Sequence, residues 1–257
     1  MPRPPPLDAA FQNALNWIGP DGRPIFDLIS RLPRKWQLTS TRYIIGSAGM
    51  VPAMNEFFSK FGYGFRTAMH FNLGQFPGNT IGAIDDKNGP FAVIEFTNAL
   101  PRLKMYSNWR VIPDDQKTLD MLASADFKPA EEILLKSNIS SVSATNHAQV
   151  AAKIEITDYH PKRMAVKISS PVGGVLLNNN TKFDPDWHVT VDGQEKPLLR
   201  CNFIMQGVEL SSGEHEVVFS FRPASLPSRI NFAILFVVVV TIIFLSMRER
   251  KALPKKA

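Results

Sequence analysis

One cysteine, Cys201, is all the thiol this chain carries. That excludes an internal disulfide framework and any zinc site built on paired cysteines. As a small apolar residue, Cys201 is expected in a core rather than as a nucleophile. Catalytic motifs are missing as well. The chain holds no GxGxxG, no phosphate-loop motif, no HExxH and no GxSxG, and Gly46-Ser47-Ala48-Gly49 lacks the spacing of the last. The histidines, at 70, 147, 160, 188 and 215, are scattered without ligand spacing. Charge of one sign is scarce outside the tail. The last ten residues supply +4 of the formal +6, so +2 is left over the other 247 and there is no electrostatic footprint for nucleic acid. The amino-terminal stretch MPRPPPLDAAFQNAL has a proline run but no apolar core of the kind a secretory signal needs.

What the chain does have is one long apolar run. Ile230 to Met247 reads INFAILFVVVVTIIFLSM, in which only Asn231, Thr241 and Ser246 are polar. As a helix this stretch covers about 27 Å, close to the hydrocarbon thickness of a bilayer. Arg248, Arg250 and Lys251 follow at once, with Lys255 and Lys256 beyond. By the positive-inside rule, the expectation is a membrane helix over 230–247, a basic cytoplasmic tail over 248–257, and a body outside the cytoplasm. With no signal to export that body, two readings stay open. The chain is the carboxy-terminal piece of a polytopic protein whose earlier helices perform translocation, or it is tail-anchored with its body in the cytoplasm.

The body divides by pattern. Residues 150–223 alternate with the strand period: Ile154 and Ile156 against Lys153 and Glu155, Met164, Val166 and Ile168 against Arg163 and Lys167, and Val217, Phe219 and Phe221 against Glu216, Ser220 and Arg222. Asp192-Gly193 is a hairpin signal because a type I′ turn needs positive φ at both central residues. Ser212-Gly213 marks a further turn. These features predict a small antiparallel β-sandwich over 150–223. Residues 28–145 read as mixed α/β. Helices are expected over Met50–Phe61 and from Asp114 to about Ala125, with Leu119 and Leu122 inward. Strands are expected at 42–45, in FRTAMHFNL, FAVIEFTNAL and RLKMYSNWRVI, and at 132–135. Residues 1–27 are an extended lead-in with a helix from Ala9 to Ile18, and the polar 137–149 segment is expected to join the halves. The fold class is therefore α+β: a mixed α/β region, a β-sandwich and one carboxy-terminal membrane helix.

Few residues suggest chemistry. Asp184-x-Asp186 matches the short acidic motif with which many nucleotide-sugar transferases hold a divalent cation. Its ordinary reading is a turn between strands in which Pro185 sets φ and Trp187 packs on the sheet. Trp109 and Trp187 are candidates for stacking on a sugar face, with core packing as the alternative. No cofactor and no metal site is evident. Asn138-Ile139-Ser140 has the N-glycosylation pattern, which has meaning only in a eukaryotic secretory lumen.

The block FDPDWHVTVDGQEKPLLRCNFIMQGVELSSGEHEVVFSFRP, residues 183–223, resembles the carboxy-terminal signature of the YfhO-type bacterial membrane proteins. The matching positions are Pro185, Trp187, Asp192, Gly193, Arg200, Asn202, Gly213, Glu214 and His215. RYII at 42–45, LPRLKMYSNWRVI at 100–112 and DDQKTLDMLASADFKPAEEILL at 114–135 fall in the family's order, and Asp186 departs from it by standing where a small residue precedes the Trp. The resemblance implies a polytopic GT-C-type glycosyltransferase of the bacterial cytoplasmic membrane that acts on lipid-linked sugars. The catalytic acid of that architecture lies in an early loop to which no part of this chain corresponds, so no catalytic residue carries over. Implied partners are the bilayer, the remaining membrane helices, and a lipid-linked sugar or glycan acceptor. The competing expectation is a bitopic or tail-anchored membrane protein whose sandwich binds glycan or a protein.

Overall fold

The structure, a computed structural model, describes residues 7–16, 29–139, 151–223 and 235–241. Strands dominate and almost all pair antiparallel. In chain order they are β1 (Tyr43–Ser47), β2 (Phe65–Phe76), β3 (Thr80–Asp85), β4 (Phe91–Phe96), β5 (Leu103–Tyr106), β6 (Trp109–Val111), β7 (Ile133–Leu135), β8 (Lys153–His160), β9 (Arg163–Ser170), β10 (Gly174–Lys182), β11 (Trp187–Val191), β12 (Gln194–Lys196), β13 (Leu199–Cys201), β14 (Met205–Leu210) and β15 (Gly213–Phe221). The helices are α1 (Leu7–Ala14), α2 (Arg31–Leu38), α3 (Met50–Phe58) and α4 (Asp115–Ala123).

A six-stranded sheet, β5-β10-β14-β13-β7-β6, forms the centre, and side-chain alternation gives it two apolar faces. On one face Leu103, Met105, Leu176, Val208 and Leu210 meet Val166, Val189, Val217 and Phe219 of the five-stranded sheet β12-β11-β15-β9-β8. This is the sandwich. On the other face Tyr106, Val175, Leu177, Ile133 and Leu135 pack under Phe11 and Leu15, at the end of α1, and Leu119 and Leu122 of α4. Asp114 caps α4, its carboxylate accepting from the Lys117 amide at 2.7 Å. The buried Tyr106 hydroxyl donates to the Pro129 carbonyl at 2.6 Å.

The central sheet crosses the division expected near 145–150. β5, β6 and β7 lie before it, yet they share a sheet with β10, β13 and β14. Burial explains this. The sandwich strands β10 and β14 need a cover on each face, and the segment from 103 to 135 supplies both the edge strands and the helix.

A separate four-stranded sheet, β1-β4-β2-β3, is backed on one side by α3 and Trp36 of α2, around Phe58, Phe65, Ile94 and Phe96. Trp36 meets Phe65 and Phe96 edge-on, at 5.9 Å in each case. Asn55 ties α3 to β2 by pairing with both backbone groups of Phe65, each at 2.8 Å. α2 serves two cores at once, since its Leu38 belongs to the cluster beneath the central sheet. This helix was not expected from the sequence. RLPRKWQL is short and charged, and Pro33 is tolerated because it lies in the first turn.

The membrane helix expected over 230–247 is not found as such. No helix among the described residues is long and apolar enough to cross a membrane. Residues 235–241 are helical, while 230–234, 242–247 and the anchors Arg248, Arg250 and Lys251 lie outside the described residues. The break expected at 19–22 also lies outside them.

Candidate functional site

The family-signature positions gather at the connections of the sandwich. Asp192 (φ 52°) and Gly193 (φ 78°) form the tight turn between β11 and β12, with Val191 opposite Gln194. The DG dipeptide predicts this turn correctly, for the reason given above. Gly213, at φ 121°, begins β15 in a conformation that L side chains rarely adopt. It ends the short connection by which the chain leaves the six-stranded sheet for the five-stranded one.

Between these turns stands His215. Its Nδ1 lies 2.7 Å from Asp192 Oδ2 and its Nε2 lies 3.0 Å from Ser211 Oγ. A carboxylate beside Nδ1 favours a proton on that nitrogen, and in the neutral ring Nε2 is then the acceptor for the Ser211 hydroxyl. The other Asp192 oxygen accepts from the Glu216 amide at 2.8 Å. The His215 contact and then the Glu216 amide hold the Asp192 carboxyl below the ordinary carboxylate range.

Serine, imidazole and carboxylate in this order resemble an acyl-transfer triad, but magnitudes favour another role. The Asp192 side chain is 53% exposed, whereas that of His215 is 14% exposed. A carboxylate so open to water is screened and polarises an imidazole weakly. The arrangement instead fixes a hydroxyl, an imidazole and a carboxylate in place while locking the β11–β12 hairpin onto β15.

The lock is the wall between two clefts. One, of about 600 Å³, is lined among others by Asn138, Gln194, Lys196, Glu209, Ser211 and His215. The second, of about 370 Å³, lies along β8, β9 and β15, with Lys153, Glu155, Lys167 and Glu214. The larger cleft presents amide, ammonium, carboxylate and hydroxyl groups side by side. With Ile139, Val191, Leu198 and Leu210 on the same walls, this mixture suits a ligand that carries both hydroxyls and apolar faces. Sequence reasoning found Asp192, Gly193, Glu214 and His215 through the family signature, but missed Ser211 and Gln194. Only Ser212, beside Gly213, read as a turn residue.

Arg200 and Asn202 serve the sheet. Arg200 lies over the Phe203 ring at 4.7 Å and meets Asp115 at 3.3 Å, and Lys136 meets the same carboxylate at 2.6 Å. Burial alone would push the Asp115 carboxyl up, but Lys136 and Arg200 hold it below its usual value. Asn202 is fully buried at φ 42° and pairs with Leu134 of β7. The following Phe203 also has positive φ, so the β13–β14 turn needs two residues in that region.

Trp109 and Trp187 do not line either cleft. Trp109 is buried in the core beneath the central sheet, so neither ring face is free for a sugar. Trp187 is half-buried and lies 5.5 Å from Phe221 across the β11–β15 pair. The Asp184-x-Asp186 fragment folds as a turn, with the Asp184 carboxylate accepting from the Asp186 amide at 2.9 Å. Pro185 is exposed at its crown. No group of three metal-ligating side chains comes together among the described residues.

Residues 134–245 match the family model of the bacterial membrane protein YfhO. Over that segment the chain is similar to YfhO. The match begins in β7, at the residue Asn202 grips, runs through β8 to β15, and ends inside the apolar stretch. The YfhO segment thus contains every signature position and both clefts' β15 wall. It does not reach 42–45 or 100–112, whose resemblance rests on sequence order alone. No curated protein and no solved structure matches the chain.

Proposed function

We propose that this chain is the extracytoplasmic carboxy-terminal region of a YfhO-like, GT-C-type protein of cell-surface glycosylation. A membrane helix over 230–247 anchors it and a cytoplasmic tail follows. Catalysis is assigned to a membrane-embedded part of the assembly. The sandwich contributes the polar cleft beside His215, where hydroxyls of a glycan acceptor or a lipid-linked sugar are held.

The observation that carries the reading is the YfhO match running from β7 through the sandwich into the apolar stretch. Two further features support it. Leu235 to Val240 are six successive large apolar residues, each at least 44% exposed, so this piece of helix presents apolar surface on every side, as a lipid-facing helix does. Thr241 returns its hydroxyl to the Val237 carbonyl at 2.8 Å, which satisfies it without water.

The test is compositional analysis of envelope polymers. Deleting the gene removes a sugar substituent, and the wild-type chain restores it. Gln194→Ala combined with Ser211→Ala, expressed at wild-type level in the membrane, restores it only in part. Unchanged envelope sugars in the deletion strain contradict the assignment.

A further inference from the structure

The β2–β3 ribbon reaches past the rest of its sheet. β4 pairs with β2 only as far as Phe71 opposite Phe91, so from Asn72 onward β2 has β3 as its single neighbour. At ~3.4 Å per residue, Asn72 to Phe76 projects ~17 Å before the Pro77-Gly78-Asn79 turn. Two-stranded ribbons are marginal in water on their own.

Register places apolar side chains on both faces. Leu73, opposite Ala83, and Ile81, opposite Gln75, share one face. On the other, Ile84 lies over Gly74 and Phe76 lies over Gly82, so closely that an added Cβ would fall 2.1 Å and 2.7 Å from their side chains. None is buried: Leu73 is 51% exposed, Ile81 76%, Phe76 43% and Ile84 47%. The sequence from Asn72 to Ile84 contains no charge, and charges resume at the base with Asp85, Asp86 and Lys87. Edge strands of water-soluble sheets are normally guarded by lysine, proline or other charge, and β3 has only Asp85, at its base.

The geometry points to the β2–β3 ribbon as a second membrane contact, dipping its tip into the headgroup and acyl boundary of the bilayer. A folded partner stacked on the sheet covers one face, and a second copy adding a strand to the edge covers neither. Lipid covers both together. The depth is limited by backbone chemistry. Among the described residues no further strand pairs with the outer edge of β3 or with that of β2 beyond Phe71, where the Leu73 amide turns to the Asn72 side chain at 2.8 Å; such edge groups are tolerated at the interface and not in the hydrocarbon. This inference rests on the anchoring reading above, because the apolar run at 230–247 is what brings the body to the bilayer.

The experiment uses the full chain in vesicles of phosphatidylethanolamine and phosphatidylglycerol. Single cysteines placed by Leu73→Cys, Ile81→Cys or Ile84→Cys carry an environment-sensitive fluorophore, with Glu155→Cys as the reference. The buried native Cys201 need not be replaced. Labels on both ribbon faces are expected to be quenched by headgroup-level nitroxide lipid about twofold more than by nitroxide at the chain end, with the reference label unquenched. Quenching by aqueous iodide alone overturns the inference, as does blue-shifted emission without lipid quenching, the sign of protein cover. If the chain does not float with the vesicles at all, the anchoring reading fails, and the ribbon contact fails with it.

Discussion

Asn202 holds Leu134 as a second peptide would. Its amide donates to the Leu134 carbonyl at 2.8 Å while its side-chain Oδ1 accepts from the Leu134 amide at 3.0 Å. Through this contact and the pairing of Cys201 with Leu135, β7 becomes part of the sheet that β13 and β14 build. Asn202→Ala leaves a buried N–H without an acceptor and is expected to destabilise the chain by about 1–3 kcal/mol. Equilibrium urea unfolding checks this, and an unchanged midpoint contradicts it.

The Asp192–His215 contact gives stability a pH dependence of definite sign. The Asp192 carboxyl is held below its unfolded value, so its contribution is complete above the ordinary carboxylate range and disappears as pH falls through the lowered one. Because Asp192 is half exposed, solvent screening limits the contribution to about 0.2–1 kcal/mol. Asp192→Asn should therefore be slightly less stable than wild type at neutral pH and equal to it in acid. Thermal unfolding at stepped pH measures the difference, and a gap that widens in acid contradicts the assignment.

Gly174 is required for a close approach. A Cβ there would lie 2.1 Å from the Tyr106 carbonyl oxygen, which belongs to the backbone and cannot move without opening β5 from β10. Gly174→Ala is expected to cost at least about 1–3 kcal/mol, the range for overpacking. A lowered melting temperature with unchanged fold class by circular dichroism is the expected result.

Cys201 is fully buried, and burial pushes its thiol well above the usual range. The native chain should resist maleimide and react only after denaturant unfolds the central sheet. Fast labelling of the folded chain contradicts the packing described for β13.

Local signals carried well from sequence to fold. Asp192-Gly193 and the alternation in β15 depend on neighbouring residues, and each formed as read, whereas in β9 Ala165, expected on the outward face, is buried with Met164 and Val166. Long-range pairing was not legible in this way. Nothing in Trp109–Val111 announces a parallel partner at Ile133–Leu135, and nothing in 153–221 shows that its sandwich borrows strands from 103–135. β3 went unread because Thr80–Asp85 has no alternation of apolar and polar residues. The candidate site was half visible. The signature gave His215 and Asp192, whereas Ser211 joins them only because the turn at Gly213 folds it back.

The side of the membrane that each end of the apolar run occupies decides where the body works. Paired reporters fused after Ala257 measure this directly, alkaline phosphatase for export and green fluorescent protein for cytoplasmic folding. A fluorescent tail with inactive phosphatase, together with digestion of the body by protease added to spheroplasts, is the expected result. An active phosphatase, or a body protected until lysis, contradicts it.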